Sequence, residues 1–321
     1  MTGPATTPMT APVTTLPDVE FSVVGPERAT DVVGIVHETF GDRPVLDPPA
    51  TAMDETVESV ARALSGDGGL LAVHHGRPVG ALLLEDHGAL LQLRRVGVLR
   101  EVRHLGVAAQ LVHRAEQVAA ERGYRGLVLE AREELPVTVR FWQRLGYAEV
   151  DRSGPRLWLE RRLPVTVTLP DAEDTRALGE RLGGILTPGD LVVLSGDLGA
   201  GKTTLTQGIG EGLGVRGPVT SPTFVIARLH PSLRGGPALA HVDAYRLHDA
   251  AELDDLDLDT DLDEAVTIVE WGSGLAEALA GSRLEIRMTR APDDVRTVEI
   301  APVGPRWFDA DLSGVTGPAA G

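Results

Sequence analysis

The sequence contains no cysteine and no apolar run that approaches the length of a bilayer span. The absence of cysteine excludes disulfides, cysteine nucleophiles and thiolate metal sites. The nine histidines show none of the paired spacings that hold structural zinc, so we do not expect a zinc site. The first basic residue is Arg28, after a start rich in threonine and proline, which does not fit a signal peptide. We therefore expect a cytoplasmic protein without a membrane partner.

Lysine is almost absent as well. Of the 30 basic residues, only Lys202 is a lysine, and the others are arginine. A lysine ammonium is a compact charge on a flexible stem, whereas the planar guanidinium of arginine needs more room. The single lysine therefore indicates a confined site in which arginine would not serve.

Lys202 belongs to a phosphate-binding pattern. Residues 196–203 fit G-x-x-x-x-G-K-[ST], a buried strand is predicted before them at residues 191–194, and a helix is predicted to begin at Thr203. Backbone N–H groups and the helix N-terminus then converge on one anion, with Lys202 on the β- and γ-phosphates and the Thr203 hydroxyl on Mg²⁺. A glycine-rich turn with an incidental lysine is the alternative. The predicted ATP contacts are Gly196, Asp197, Leu198, Gly199, Ala200, Gly201, Lys202, Thr203 and Thr204.

A run of alternate glycines follows the loop, at Gly208, Gly210, Gly212 and Gly214. Leu213 stands at the third glycine position of a dinucleotide fingerprint, and no strand precedes the run, so we reject a dinucleotide site.

Carboxylates follow two predicted strands of the second half. Residues 239–242 lead into Asp243, and residues 265–269 lead into Glu270. A phosphate loop needs carboxylates at neighbouring strand ends to complete a metal site and to orient water. A structural cap or a solvated strand end is the alternative for each residue.

The second half is also strongly acidic. Residues 165–321 carry 25 acidic and 12 basic residues. Tight binding to nucleic acid needs clustered lysine and arginine, so any RNA is expected to be held by a partner.

The first half alternates helix and strand. Residues 103–108, between a predicted strand and a long helix, fit [RQ]-x-x-G-x-[GA], in which backbone N–H groups take up a pyrophosphate. The predicted elements are a helix at 31–40, strands at 70–74, 79–85 and 90–98, a helix at 106–122, a strand at 127–131, and a last strand at 157–160.

Residues 141–147, Phe-Trp-Gln-Arg-Leu-Gly-Tyr, end a further helix. With the 103–108 pattern they make residues 20–163 resemble the GCN5-related N-acetyltransferases (GNAT family). The resemblance implies an acetyl-coenzyme A site formed by Val98, Arg103, His104, Leu105, Gly106, Val107 and Ala108.

This half departs from the family at two positions. Trp142 replaces a tyrosine that protonates the departing thiolate, and an indole N–H is not a usable acid. Residues 135–137 offer no match to a frequent asparagine. Glu85 and Glu130 are candidate bases or solvated strand ends. An active amine acetyltransferase and a domain that only binds coenzyme A or a partner both remain open.

The second half resembles the TsaE family, small ATPases of bacterial tRNA threonylcarbamoyladenosine synthesis. Residues 165–305 carry its motifs in order, at residues 196–204, 221–224, 241–247, 252–253 and 269–271. The resemblance implies ATP and Mg²⁺, with Thr203 and Glu270 near the metal and Lys202 and Asp243 in catalysis. It also implies docking on TsaD- and TsaB-type partners, which would hold the tRNA. No arginine finger is identifiable, so we expect slow turnover that the partners raise.

Two further patterns have competing interpretations. Residues 221–223 carry two hydroxyls beside a proline, which suits a segment that senses the γ-phosphate or, more simply, a β-turn. A calcium loop starting at Asp259 would place Glu264 where glycine is required, so we favour a solvated acidic face.

We therefore predict an α/β protein with a GNAT-like mixed-sheet domain at residues 20–163 and a P-loop NTPase domain at residues 164–310, flanked by disordered tails at 1–19 and 311–321. Two other functions compete with the ATPase interpretation. One is a small-molecule kinase that uses the same loop. The other is an acetyltransferase of a protein N-terminus or a small amine, regulated by the ATPase domain.

Overall fold

The computed structural model describes residues 18–41, 43–44, 46–49, 51–222, 227–246, 264–272, 276, 279–308, 310 and 312–316. The chain divides into two compact units, Met1–Leu163 and Pro164–Gly321. Each unit builds α-helices against a mixed β-sheet, which confirms the predicted fold class. No helix in the described ranges is both long and apolar enough to cross a membrane.

The first unit contains a sheet of seven strands in the order β1-β2-β3-β4-β5-β7-β6, antiparallel except for the parallel pair β4–β5. The strands are β1 Val19–Val24, β2 Gly69–His74, β3 Arg77–His87, β4 Leu90–Val98, β5 Gly126–Arg132, β6 Ala148–Ser153 and β7 Arg156–Arg162. Four helices pack on it: α1 Ala29–Gly41, α2 Val57–Gly66, α3 Val107–Glu121 and α4 Pro136–Arg144.

Three elements of this unit were not predicted: strand β1, helix α2 and strand β6. Helix α2 buries only Val60 and Leu64, so its apolar periodicity is short, and its start depends on a capping box between Thr56 and Ser59. Strand β6 is almost wholly exposed and therefore lacks the apolar alternation that marks a strand. It forms because it pairs with the partly buried β7.

The pairing of β4 with β5 ends early. Residues 90–93 pair with residues 126–129, and the rest of β4 has no partner on β5. The sheet therefore opens toward the end of β4, where Val98 leads into the predicted pyrophosphate loop.

The second unit also contains a sheet of seven strands, in the order β10-β11-β12-β9-β13-β14-β8. Strands β11, β12, β9 and β13 are parallel to their neighbours in that group, and the other pairs are antiparallel. The elements are β8 Val165–Leu169, α5 Ala172–Gly183, β9 Leu191–Gly196, α6 Lys202–Leu213, β10 Ala227–His230, β11 Ala238–Asp243, β12 Ala265–Glu270, β13 Arg283–Arg290, β14 Arg296–Val303 and α7 Ser313–Thr316. The carboxyl ends of four parallel strands thus meet at one edge, where open α/β sheets bind ligands.

Helices α5 and α6 pack backbone to backbone, and this contact explains Gly208 and Gly212 of the glycine run. A Cβ added to Gly179 of α5 would lie 2.9 Å from the Cα of Gly208, and one added to Gly183 would lie 2.9 Å from the Cα of Gly212. Because both helices lack side chains along this stripe, α6 extends through glycines that would weaken an isolated helix. Asp171 caps α5 by accepting from the N–H groups of Glu173 and Asp174.

The C-terminal segment differs from the expected disordered tail. Leu312 and Val315 are buried in the core of the second unit, and Arg181 donates from Nε to the carbonyl oxygen of Val315 at 2.7 Å. The apolar spacing of three residues is too short to indicate this turn of helix in the sequence. Residues 259–263 of the calcium alternative, the motif at 252–253 and Thr223 lie outside the described residues.

Candidate functional site

The phosphate loop joins β9 to α6. Gly196 ends the strand so close to β13 that a Cβ there would overlap the carbonyl oxygen of Met288. Gly201 caps α6 with a φ of 107°, a left-handed conformation that favours glycine. Ala200 is buried, and Leu198 is exposed. The loop therefore leads directly into the N-terminus of α6, whose first N–H groups would be available to an anion.

Lys202 is 5% exposed and points back into its own loop. Its ammonium donates to the carbonyl oxygens of Gly196 at 2.8 Å and Asp197 at 3.0 Å. It also lies 3.8 Å from the centroid of the Trp271 ring. Burial lowers the pKa of Lys202, while the charges of Glu270, Asp243 and Asp197 oppose that shift.

Asp243 and Glu270 stand side by side at the ends of the parallel strands β11 and β12, where they are register partners. They are 5% and 3% exposed. Thr203 Oγ1 donates to Glu270 Oε2 at 3.4 Å. The structure thus brings Lys202, Thr203, Asp243 and Glu270 to one edge of the sheet.

Asp243 accepts hydrogen bonds from a side chain and from a backbone N–H group. Ser221 Oγ donates to its Oδ2 at 3.0 Å, and the backbone N–H of Tyr245 donates to its Oδ1 at 3.1 Å. Ser221 belongs to the segment that the sequence assigns to phosphate sensing or a plain turn. Its contact links that segment to the candidate catalytic carboxylate.

Sequence reasoning missed His241. Its Nε2 lies 3.0 Å from Glu270 Oε1, and both side chains are buried. Thr206 Oγ1 lies 3.5 Å from the same carboxylate oxygen. The available signal was spacing: His241 precedes Asp243 by two residues, so the two side chains share one face of β11.

Trp271 is the other residue whose role the sequence left unassigned. It adopts a left-handed φ of 62°, and its N–H donates to the carbonyl oxygen of Leu194 at 2.9 Å. Its ring meets the exposed Tyr245 edge-on at 5.4 Å. The Trp271 ring covers the ammonium of Lys202 beside the loop, and Tyr245 packs against that ring.

These residues fit MgATP. A hydroxyl and two carboxylates are the hard oxygen donors that suit Mg²⁺, which takes few protein ligands and completes its shell with phosphate and water. Within the described ranges there is no cluster of three or more histidine, aspartate or glutamate ligands, as a transition-metal site would need. Gly196 and Gly201 let the loop backbone pack closely on Met288 and Arg296, which a Cβ at either position would meet.

The predicted acetyl-coenzyme A residues lie between β4 and α3. Arg103 donates from Nε to the carbonyl oxygen of Val98 at 3.0 Å, which ties the loop to the strand. Gly106 caps α3 at a φ of 79°, and His104, like Arg103 and Gly106, is exposed. The loop therefore leads into the exposed N-terminus of α3. The first N–H groups of this helix lack acceptors within the helix.

A second arginine lies close to this loop. Burial, and then the charge of Arg103, lower the pKa of the Arg43 guanidinium to about 10. Arg43 also stacks over the Phe40 ring at 3.6 Å from its centroid. The like charges of the two guanidinium groups repel each other, so an anion bound between them would stabilise both.

The residues considered for acid and base chemistry are otherwise engaged. Trp142 is 4% exposed and meets the rings of Phe141 and Tyr147 edge-on, so it belongs to the core. Glu85 pairs with Arg94, and Glu130 lies 3.6 Å from Arg156. Neither carboxylate is buried, so both resemble the solvated strand ends of the simpler interpretation.

Two family models match the chain. Residues 169–298 match the family described as "Threonylcarbamoyl adenosine biosynthesis protein TsaE", and residues 37–147 match the acetyltransferase (GNAT) family. These matches agree with both resemblances found in the sequence.

Relatives of known family match the second half. A TsaE protein of Streptomyces coelicolor is 58% identical over 147 residues, which cover 44% of this chain and 99% of that protein. A TsaE protein of Mycobacterium tuberculosis is 58% identical over 132 residues, covering 39% and 79%. That of Bacillus subtilis is 42% identical over 136 residues, covering 42% and 84%.

Two solved structures are each similar to part of the chain. Bacillus subtilis YdiB is 34% identical, with a TM-score of 0.38, over 45% of this chain and 89% of that one. A PaiA N-acetyltransferase from Thermoplasma acidophilum in complex with coenzyme A is 15% identical, with a TM-score of 0.41, over 45% and 99%.

Proposed function

The chain belongs to the TsaE family, and we propose that its C-terminal unit hydrolyses ATP in support of tRNA threonylcarbamoyladenosine synthesis. The observation that carries this proposal is the convergence of Lys202, Thr203, Asp243 and Glu270 at one edge of the sheet. Membership of the family supports a role in the synthesis of threonylcarbamoyladenosine in tRNA. Within that synthesis, we assign ATP hydrolysis to this chain.

The residues divide the work by position. Lys202 and the loop N–H groups bind the phosphates, and two of the three protons on Lys202 Nζ already bond to loop carbonyls. Thr203 and Glu270 would hold Mg²⁺, which supplies neutralisation of charge on the β- and γ-phosphates when it is bound. Asp243, fixed by Ser221, orients the attacking water.

Partners are expected to complete the reaction. The acidic character of residues 165–321 disfavours direct binding of tRNA, so we propose that TsaD- and TsaB-type proteins hold the RNA. Intrinsic hydrolysis is then slow and rises when those partners are added. Rapid hydrolysis by the isolated chain, unchanged by partners, would contradict this.

Reconstitution tests the function directly. The chain would replace the stand-alone ATPase in a mixture of the partner proteins, the enzyme that forms threonylcarbamoyl-adenylate, and unmodified tRNA. We expect several modified adenosines per partner complex with the parent chain. Lys202→Ala should support a single turnover, because it cannot hold the phosphates. Asp243→Asn should bind nucleotide and yet fail in turnover.

A kinase function predicts a different product. If the loop transfers phosphate to a small molecule, labelled ATP yields a labelled product other than free phosphate. Detection of such a product, together with no stimulation of tRNA modification, would overturn the ATPase proposal.

For the N-terminal unit we propose binding of acetyl-coenzyme A at residues 103–108. The exposed start of α3 and the neighbouring guanidinium groups of Arg43 and Arg103 support an anionic ligand there. Acetyl transfer to a protein N-terminus or a small amine, regulated by the ATPase unit, is the second candidate. The family match and the open edge of β4 favour it.

A matched pair of variants tests this site. Gly106→Glu places a carboxylate where the pyrophosphate would bind, whereas Gly76→Glu makes the same change in the β2–β3 turn. Both glycines have a φ of 79° and open space around a Cβ, so the backbone strain is equal. Calorimetry should show coenzyme A binding lost only in Gly106→Glu. Equal binding by both variants would overturn the proposed site.

A further inference from the structure

Two arginines of the hairpin that joins β13 to β14 lie against the phosphate loop. A Cβ built on Gly199 would lie 3.5 Å from Arg290 Nη1, and one built on Gly201 would lie 3.3 Å from Arg296 Nε. Both glycines belong to the loop, so the two guanidinium groups flank the backbone that would surround the phosphates.

Arg290 is prepared for a ligand. It donates from Nε to Asp294 Oδ1 at 2.8 Å and forms a second bond to the same oxygen from Nη2. Its Nη1, which faces Gly199, has no acceptor within the described part of the chain. The side chain is 44% exposed, so a ligand can reach it. Asp294 thus fixes the guanidinium while leaving one donor open.

Arg296 is placed differently. Its Nη1 donates to the carbonyl oxygen of Asp294 at 2.9 Å, which holds the hairpin together. Its Nε is buried and has no acceptor among the residues that the structure describes. This contact at Gly201 braces the loop from outside, and Arg290 is therefore the arginine that remains available to a ligand.

The sheet order, together with the proposed metal site, indicates which end of a nucleotide would meet this hairpin. β12, with Glu270, lies on one side of β9, and β13, with Arg290, lies on the other. Mg²⁺ held by Thr203 and Glu270 would neutralise charge on the β- and γ-phosphates, which would place the γ-phosphate end of ATP toward Glu270. The nucleoside end would then leave the loop on the β13 side. Carboxylates would thus flank the γ-phosphate end of the nucleotide, and arginines would flank its nucleoside end.

We propose that Arg290 binds the nucleoside end of ATP, with Nη1 donating to the α-phosphate, and that Asp294 positions its guanidinium in advance. This inference rests on the proposed ATP site. It assigns Arg290 a role in binding ATP and ADP alike, and not a role at the γ-phosphate.

Calorimetry with Mg·ADP and with a non-hydrolysable ATP analogue tests the assignment. Arg290→Ala should lower the affinity for both nucleotides by about tenfold to a hundredfold, as expected for loss of a hydrogen bond between charged groups. Arg290→Lys should recover part of that loss, because it keeps the charge. Arg287→Ala, which removes an exposed arginine from the same strand, should bind like the parent. Asp294→Asn keeps a residue that tolerates the left-handed backbone at position 294, and should cost less than about threefold.

Three results would overturn the inference. A loss confined to the ATP analogue would put Arg290 at the γ-phosphate. Equal losses in Arg290→Ala and Asp294→Asn would make the pair purely structural, and an unchanged Arg290→Ala would remove it from the site. A parent chain that binds neither nucleotide would overturn the proposed ATP site as well, so the two failures are distinguishable.

Discussion

Nε2 of His241 lies 3.0 Å from Oε1 of Glu270, within hydrogen-bond distance, and both side chains are buried. In the tautomer that carries its proton on Nε2, the imidazole donates to this carboxylate oxygen. The other oxygen of this carboxylate, Oε2, accepts from Thr203 and lies on the side of the proposed Mg²⁺ site. His241 is thus a positioning residue for a candidate metal ligand.

His241→Ala should therefore weaken metal binding. Loss of such an outer partner of a ligand typically costs tenfold to a hundredfold in metal affinity, so we expect about tenfold for Mn²⁺ in the presence of ADP. Electron paramagnetic resonance of bound Mn²⁺ measures this without turnover. His230→Ala, which removes a buried histidine of β10, is the control. Equal affinity in both variants would mean that His241 only fills space.

Lys202→Arg should fail as completely as Lys202→Ala in nucleotide binding. The ammonium lies between two loop carbonyls and the Trp271 ring, where the wider guanidinium fork does not fit. Fluorescent ADP titration gives the affinity, and the melting temperature shows whether the variant is folded. Retention of more than about half the parent affinity by a folded arginine variant would contradict the confined-site explanation of the single lysine.

Gly208→Ala should destabilise the second unit by about 1–3 kcal/mol, as overpacking does. The new methyl would overlap the carbonyl oxygen of Arg176 on α5. Gly34→Ala is the matched control, because Gly34 is exposed in α1 and has open space around it. That change should be neutral or stabilising by up to about 1 kcal/mol. Chemical denaturation measures both, and similar effects in the two variants would refute close helix packing.

Glu299→Gln should stabilise the chain near neutral pH. Burial raises the pKa of Glu299, and the charge of Arg287 opposes that shift only in part. The folded state therefore holds the proton more tightly than the unfolded state. The folded protein loses stability as pH rises through the folded pKa of this carboxyl group. The neutral amide avoids this loss. Unfolding free energies should diverge as pH rises from about 4.5, and a constant difference would contradict the assignment.

The sequence predicted those parts of the site that follow from local pattern. The loop spacing around Lys202 and the apolar strands before Asp243 and Glu270 are complete within short windows, and the strand and helix assignments there are confirmed. Parallel pairing of β11 with β12 brings Asp243 and Glu270 together. We expected the two carboxylates to meet because each follows a predicted strand.

The remainder depends on contacts between distant segments. His241 and Glu270 are 29 positions apart, and nothing local to either indicates a bond between them. Arg290 and Arg296 meet the phosphate loop only because β13 pairs with β9. β6 likewise has no apolar signal of its own and exists through its partner strand.

The burial of Lys202 has a consequence for modification of the chain. As the single lysine is 5% exposed, the folded protein offers no surface ε-amine to enzymes that acylate lysines or attach proteins to them. An acetyl-coenzyme A-dependent activity in the N-terminal unit would thus find no readily accessible lysine target on its own chain. Amine-reactive labels should mark the α-amino group, and labelling at Lys202 would report directly on opening of the phosphate loop.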